Sequence, residues 1–62
     1  MTSRTVIAKL KAAGWFEVAH AGSHKQFKHL TRKGRVTVPH PEHTIPRGTL
    51  ASIERQSGVA MR

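Results

Sequence analysis

His24 stands third in the run Gly22-Ser23-His24-Lys25-Gln26-Phe27-Lys28, and its imidazole is the kind of side chain best suited to passing a proton near neutral pH. The glycine and serine ahead of it make a corner that another chain can approach closely, and backbone amides in such a turn can hold a phosphate oxygen. Basic residues crowd the same stretch: Lys25 and Lys28 within the run, then Arg32, Lys33 and Arg35 beyond it. A neutral imidazole so placed could take the proton of a ribose 2′-hydroxyl, whose oxygen would then attack the adjacent phosphodiester. Acid–base assistance of that kind is worth about 10²–10⁴-fold, and Lys28 or the turn amides would add stabilisation of the phosphate oxygens. On residue types alone the commoner case is blander: a histidine in a turn as a surface group, or as a passive hydrogen-bonding partner of RNA. Both readings stand at this point.

The other histidines are weaker candidates. His20 and His29 fall at strand ends near the core side, where a packed, hydrogen-bonded ring is the expected role. His40 and His43 bracket Pro41-Glu42. Zinc would need three or four ligands in tetrahedral array with supporting partners, and Glu42 on a proline-stiffened loop has no evident reach to the same ion. No metal site and no cofactor is expected. His40, and His29 beside it, are kept as secondary candidates for proton transfer or RNA contact. Trp15 reads as an anchor at the core edge.

Five elements can position these residues. Val6, Ile7, Leu10 and Ala13 share one stripe of a helix running from Thr2 or Ser3 to Ala13, with Ser3 as its cap and Gly14 as its stop. Trp15 to His20 alternates as a half-buried strand, Phe16 and Val18 inward and Glu17 and Ala19 outward. Ala21-Gly22-Ser23 turns the chain into a second strand, His24 to Leu30, with Phe27 inward. After a loop at Thr31-Arg32-Lys33-Gly34, Arg35 to Pro39 makes a third strand with Val36 and Val38 inward. The three prolines, Pro39, Pro41 and Pro46, hold the next stretch as an ordered loop. A shorter helix from Thr49 to Ser57 follows, anchored by Leu50 and Ile53, capped near Gly48 or Thr49 and stopped by Gly58. The predicted class is α+β, in the order α-β-β-β-α: a three-stranded antiparallel sheet with both helices on one face. The open face would carry Glu17, Ala19, His24, Gln26, Lys28, Arg35 and Thr37.

The chain has 62 residues, a formal net charge of +8, and eleven Lys and Arg against Glu17, Glu42 and Glu54 alone. That length fits one domain over 1–62, and a domain so small buries only about 60% of its unfolded surface. It has no cysteine to add a disulfide, so stabilisation by a partner would help it. Charge of this sign and density points first to nucleic acid, next to an acidic protein surface. No segment is long and apolar enough to span a bilayer, and a cytoplasmic location without membrane contact is expected.

Four segments, taken together, resemble the HicA-type toxins: Gly14-Trp15, Gly22-Ser23-His24-Lys25-Gln26-Phe27-Lys28-His29, Arg35-Val36-Thr37-Val38-Pro39-His40, and Pro46-Arg47-Gly48-Thr49-Leu50 with Ile53 and Gln56. The resemblance covers nearly the whole chain in the family's order and spacing. It implies a fold like the double-stranded-RNA-binding domain, and a metal-independent endoribonuclease that cuts mRNA and arrests translation. It also implies a HicB-type antitoxin that covers the active site with an acidic surface. The essential histidine of that family falls on His24; Gly22, Ser23, Lys25, Gln26, Lys28, Arg32, Lys33 and Arg35 would contact RNA. The free toxin is expected to be a monomer that joins its antitoxin in a hetero-oligomer. The alternatives are a non-catalytic RNA-binding module of the same fold and, behind it, a DNA-binding accessory protein.

Overall fold

Two glycines with left-handed backbones set the limits of the helical elements. The computed structural model describes residues 1–61. Helix α1 covers Ser3–Ala12, and Gly14, at φ 96°, turns the chain out of it so that Trp15 folds back into the core. Helix α2 covers Arg47–Ser57 and ends at Gly58 in the left-handed conformation, φ 72°. It begins two residues before the expected Thr49, because Pro46, with its φ already fixed, serves as the N-cap without a side-chain hydrogen bond. The cap of α1 also differs from expectation: Thr2, not Ser3, accepts the Thr5 N–H. Ser3 instead bonds through its hydroxyl to the His40 ring and the Glu42 backbone N–H.

Strands β1 (Phe16–Ala21), β2 (His24–Lys28) and β3 (Val36–Pro39) form an antiparallel sheet in the order β1-β2-β3. A tight corner at Gly22-Ser23 joins β1 to β2, with Ala21 opposite His24. Gly22 there has φ 58°, a value an L side chain rarely adopts. Phe27 pairs with Val36, and Lys25 with Val38, so one face of β2 and β3 is the buried one. The helices lie on that face and pack chiefly over β3. The core they close holds Val6, Leu10, Trp15, Phe27, Val36, Val38, Ile45, Ile53 and Met61. Each such side chain contributes about 1.5–3 kcal/mol by leaving water.

Strand β1 departs from the expected alternation. Regular pairing from the corner would set Val18 opposite Phe27, but a β-bulge between Glu17 and Ala19 shifts the ladder. Glu17 comes opposite Phe27, and Phe16 opposite Lys28. Phe16 and Val18, expected inward, are instead 43% and 40% exposed, and Glu17 leaves the open face. The physical reason lies in the helix placement: α1 and α2 pack chiefly over β3, so the helix side of β1 offers its apolar residues less cover.

Candidate nucleic-acid interface

The uncovered sheet face is built by register. In β2, His24, Gln26 and Lys28 alternate with Lys25 and Phe27 and therefore point away from the helices. Ala19 and Thr37 flank Gln26 on the neighbouring strands, while Pro39 flanks His24. Arg35, just before β3, reaches across and donates from Nη1 to Gln26 Oε1 at 2.7 Å. That bond fixes a guanidinium on the open face, its remaining donors turned outward. His24 itself is exposed at the first position of β2, directly after the Gly22-Ser23 corner. The histidine hydrogen bonds among the described residues belong to His29 and His40, so the His24 ring is not tied into the scaffold.

Two of the residues expected to contact RNA, Lys25 and Arg32, lie off the open face. Lys25 points to the helix side of the sheet, where its Nζ donates to Glu17 Oε1 at 3.1 Å. This hydrogen bond, more than any other charge nearby, holds the Glu17 carboxyl below the usual carboxylate range. The Arg32 guanidinium lies over Gly58, so close that a Cβ there would stand 2.9 Å from Nη1. A cation over the end of α2 complements its partial negative charge; Arg32 belongs with the helices rather than the open face. Lys33 is exposed in the loop between β2 and β3.

His29 and His40 are both engaged. His29 accepts the Thr31 N–H at Nδ1, 3.1 Å, which leaves Nε2 protonated to donate to the Ala13 carbonyl at 3.0 Å. Its ring also packs on Trp15, with centroids 5.2 Å apart. This is the packed role expected of it, at the seam between α1 and β2. His40 is half-buried beside the start of α1, with Nδ1 2.7 Å from the Ser3 hydroxyl. Ser3 Oγ also accepts the Glu42 N–H at 3.0 Å. The buried hydroxyl proton then has His40 Nδ1 as its acceptor, which leaves Nε2 as a donor. The His40 backbone N–H donates to the Ser23 carbonyl at 2.7 Å, so this ring is anchored to the corner that precedes His24.

Sequence reasoning missed one member of the open face: Phe16, whose aromatic ring joins Lys28 through the bulge. Among the described residues no group of three or more His, Cys, Asp or Glu is placed to hold a metal ion. No helix there is long and apolar enough to cross a membrane.

Comparison with known proteins places this arrangement in a family. No curated protein matches the chain. A solved structure described as the HicA3 and HicB3 toxin-antitoxin complex contains a chain with the same fold, at a TM-score of 0.80 and 26% sequence identity, over 100% of both chains. The profile of the HicA toxin of bacterial toxin–antitoxin systems matches residues 3–59. With that match over nearly its full length, and with the α-β-β-β-α fold shared, the chain belongs to the HicA toxin family.

Proposed function

We propose that this toxin cuts mRNA without a metal ion, using His24 as general base and acid. The observation that carries the proposal is the placement of His24: an exposed imidazole at a tight glycine corner, on the same open sheet face as Lys28 and the Arg35–Gln26 pair. RNA docks by its phosphates on that face. The unprotonated His24 nitrogen removes the proton of a 2′-hydroxyl, and the 2′-oxygen attacks phosphorus. A new P–O2′ bond forms, the P–O5′ bond breaks, and the leaving 5′-oxygen takes a proton back from the imidazolium. The products are a 2′,3′-cyclic phosphate and a 5′-hydroxyl. Lys28 and the amides of the Gly22-Ser23 corner stabilise the charge that develops on the phosphate oxygens.

His24→Ala should lower cleavage of a single-stranded RNA by about 10²-fold or more, with wild-type cleavage unaffected by EDTA. Cleavage by the variant at the wild-type rate would remove His24 from the mechanism, and EDTA inhibition would overturn the metal-free route. A wild-type protein that retains RNA but generates no new ends would be the binding module instead. An all-deoxy substrate should be bound and left intact, since the reaction consumes a 2′-hydroxyl.

The antitoxin belongs to the same proposal. A HicA relative has been solved in complex with HicB3, and a HicB-type protein with an acidic surface would compete for the cationic face of this toxin. Both would meet in the cytoplasm, where mRNA is translated. Such binding would also stabilise the small toxin fold by mass action.

A further inference from the structure

The open face carries an aromatic ring that cleavage by His24 does not use. The chain has two phenylalanines and one tryptophan; Phe27 is fully buried and Trp15 is 3% exposed, whereas Phe16 is 43% exposed. The bulge in β1 sets Phe16 opposite Lys28, on the face that His24 and Gln26 share. Strand β1 is an edge strand, and Phe16 lies on the sheet face opposite the helices, so the ring is open to approach. We infer that Phe16 is a stacking platform for one unpaired nucleobase of the RNA, and that it sets the register of the strand against His24. The inference rests on the RNA-cleaving reading above and adds a base-binding subsite to it.

Charge decides the occupant. A ring set beside Lys28, with Arg35 anchored on the same face, suits a ligand that offers flat apolar surfaces between negative charges. A single-stranded nucleic acid is that ligand: its phosphates meet the cations and its bases stack on the ring. A duplex keeps its base faces stacked internally, so the subsite selects unpaired RNA. Along β2 the row of Phe16 and Lys28 is four residues from His24, about 13 Å at the rise of a strand. The stacked base is therefore not that of the nucleotide being cut but of one further along the strand. Selectivity exerted through Phe16 would appear at that displaced position.

The experiment uses short single-stranded oligoribonucleotides in which one abasic site is walked along the sequence. Binding is read by fluorescence anisotropy in the cleavage-silent His24→Ala background, and cleavage in the protein with His24 intact. Phe16→Ala should weaken binding roughly ten-fold or more and raise KM with little change in kcat. At one abasic position, displaced from the cleavage site, Phe16→Ala should cost nothing further, because the stacking partner is already gone. Phe16→Leu keeps the bulk and should bind like Phe16→Ala; Phe16→Trp should retain affinity and gain an indole emission that RNA quenches. If both Phe16→Ala and Phe16→Leu bind and cleave as the parent does, the platform is overturned while cleavage by His24 stands. It is equally overturned if they lose affinity for the antitoxin alone, for the ring would then be a protein contact. A parent protein that neither binds nor cuts the RNA would remove the enzymatic reading and this subsite together.

Discussion

At the scale of single residues, the three best-placed histidines divide by what holds their rings. His24 is exposed and free to meet a ligand, whereas His29 and His40 each spend ring nitrogens on the scaffold. Replacing His29 by Ala should therefore destabilise the fold by about 1–3 kcal/mol, because the Ala13 carbonyl and the Thr31 N–H lose their partner. Thermal unfolding would measure that loss, and kcat on RNA at a temperature where the variant is folded should stay near the parent value. Gly14→Ala should act on the same contact, since its Cβ would stand 2.9 Å from His29 Nε2 and its φ of 96° is strained for alanine. The Glu17 carboxyl, depressed by the Lys25 ammonium, gives a pH-dependent signature. A group depressed in the folded state stabilises it above the unfolded pKa, and that contribution is lost as pH falls through the folded value. Lys25→Met should return the Glu17 titration, followed by NMR, to the usual carboxylate range, and should leave RNA affinity less changed than Lys28→Met does.

At the scale of elements, the order of helices and strands was legible because its signals are local. Gly14, Gly22 and Gly58 stand where positive φ is required, and the Val36/Val38 alternation marks a strand with one buried face. The face of Phe16 was not legible. A two-residue corner predicts regular pairing back along β1, and no glycine or proline flags the residue at which the bulge interrupts it. What decides the matter is tertiary: both helices pack chiefly over β3, so an inward Phe16 would have gained less cover than Phe27 or Val36. The same limit explains Ser3, which looked like a cap from its position but is drawn to His40 and Glu42 by a loop far along the chain. His24 and the face of Lys28 were readable from alternation, which also sets Lys25 on the side of Phe27; the pairing of Lys25 with Glu17 and the seat of Arg32 over Gly58 depend on partners that spacing does not reveal. Gly58→Ala is the element-scale test of the α2 stop. With φ at 72° and the Arg32 guanidinium against it, the substitution should cost about 1 kcal/mol and lower Tm without altering cleavage per folded molecule.

For the molecule as a whole, a formal charge of +8 makes phosphate neutralisation the main driving force of any RNA complex. Affinity should fall steeply with salt, with a logarithmic slope of about 0.7 for each phosphate contact on a single strand. Lys28→Ala and Arg35→Ala should each reduce that slope by about one contact. Arg32→Ala, whose parent guanidinium rests over Gly58, should leave it unchanged. A slope untouched by Lys28→Ala and Arg35→Ala would mean that RNA does not use this face.

The hydrogen bonds from the Ser3 hydroxyl to the His40 ring, and from the His40 backbone to the Ser23 carbonyl, tie the opening turn of the chain to the residue just before His24. A genetic screen for cells that survive induction of this toxin should therefore recover changes at Ser3 and His40 as well as at His24. The two classes would separate by temperature: lesions at His24 would be harmless to the host at any growth temperature, while those at Ser3 would regain their lethality in the cold.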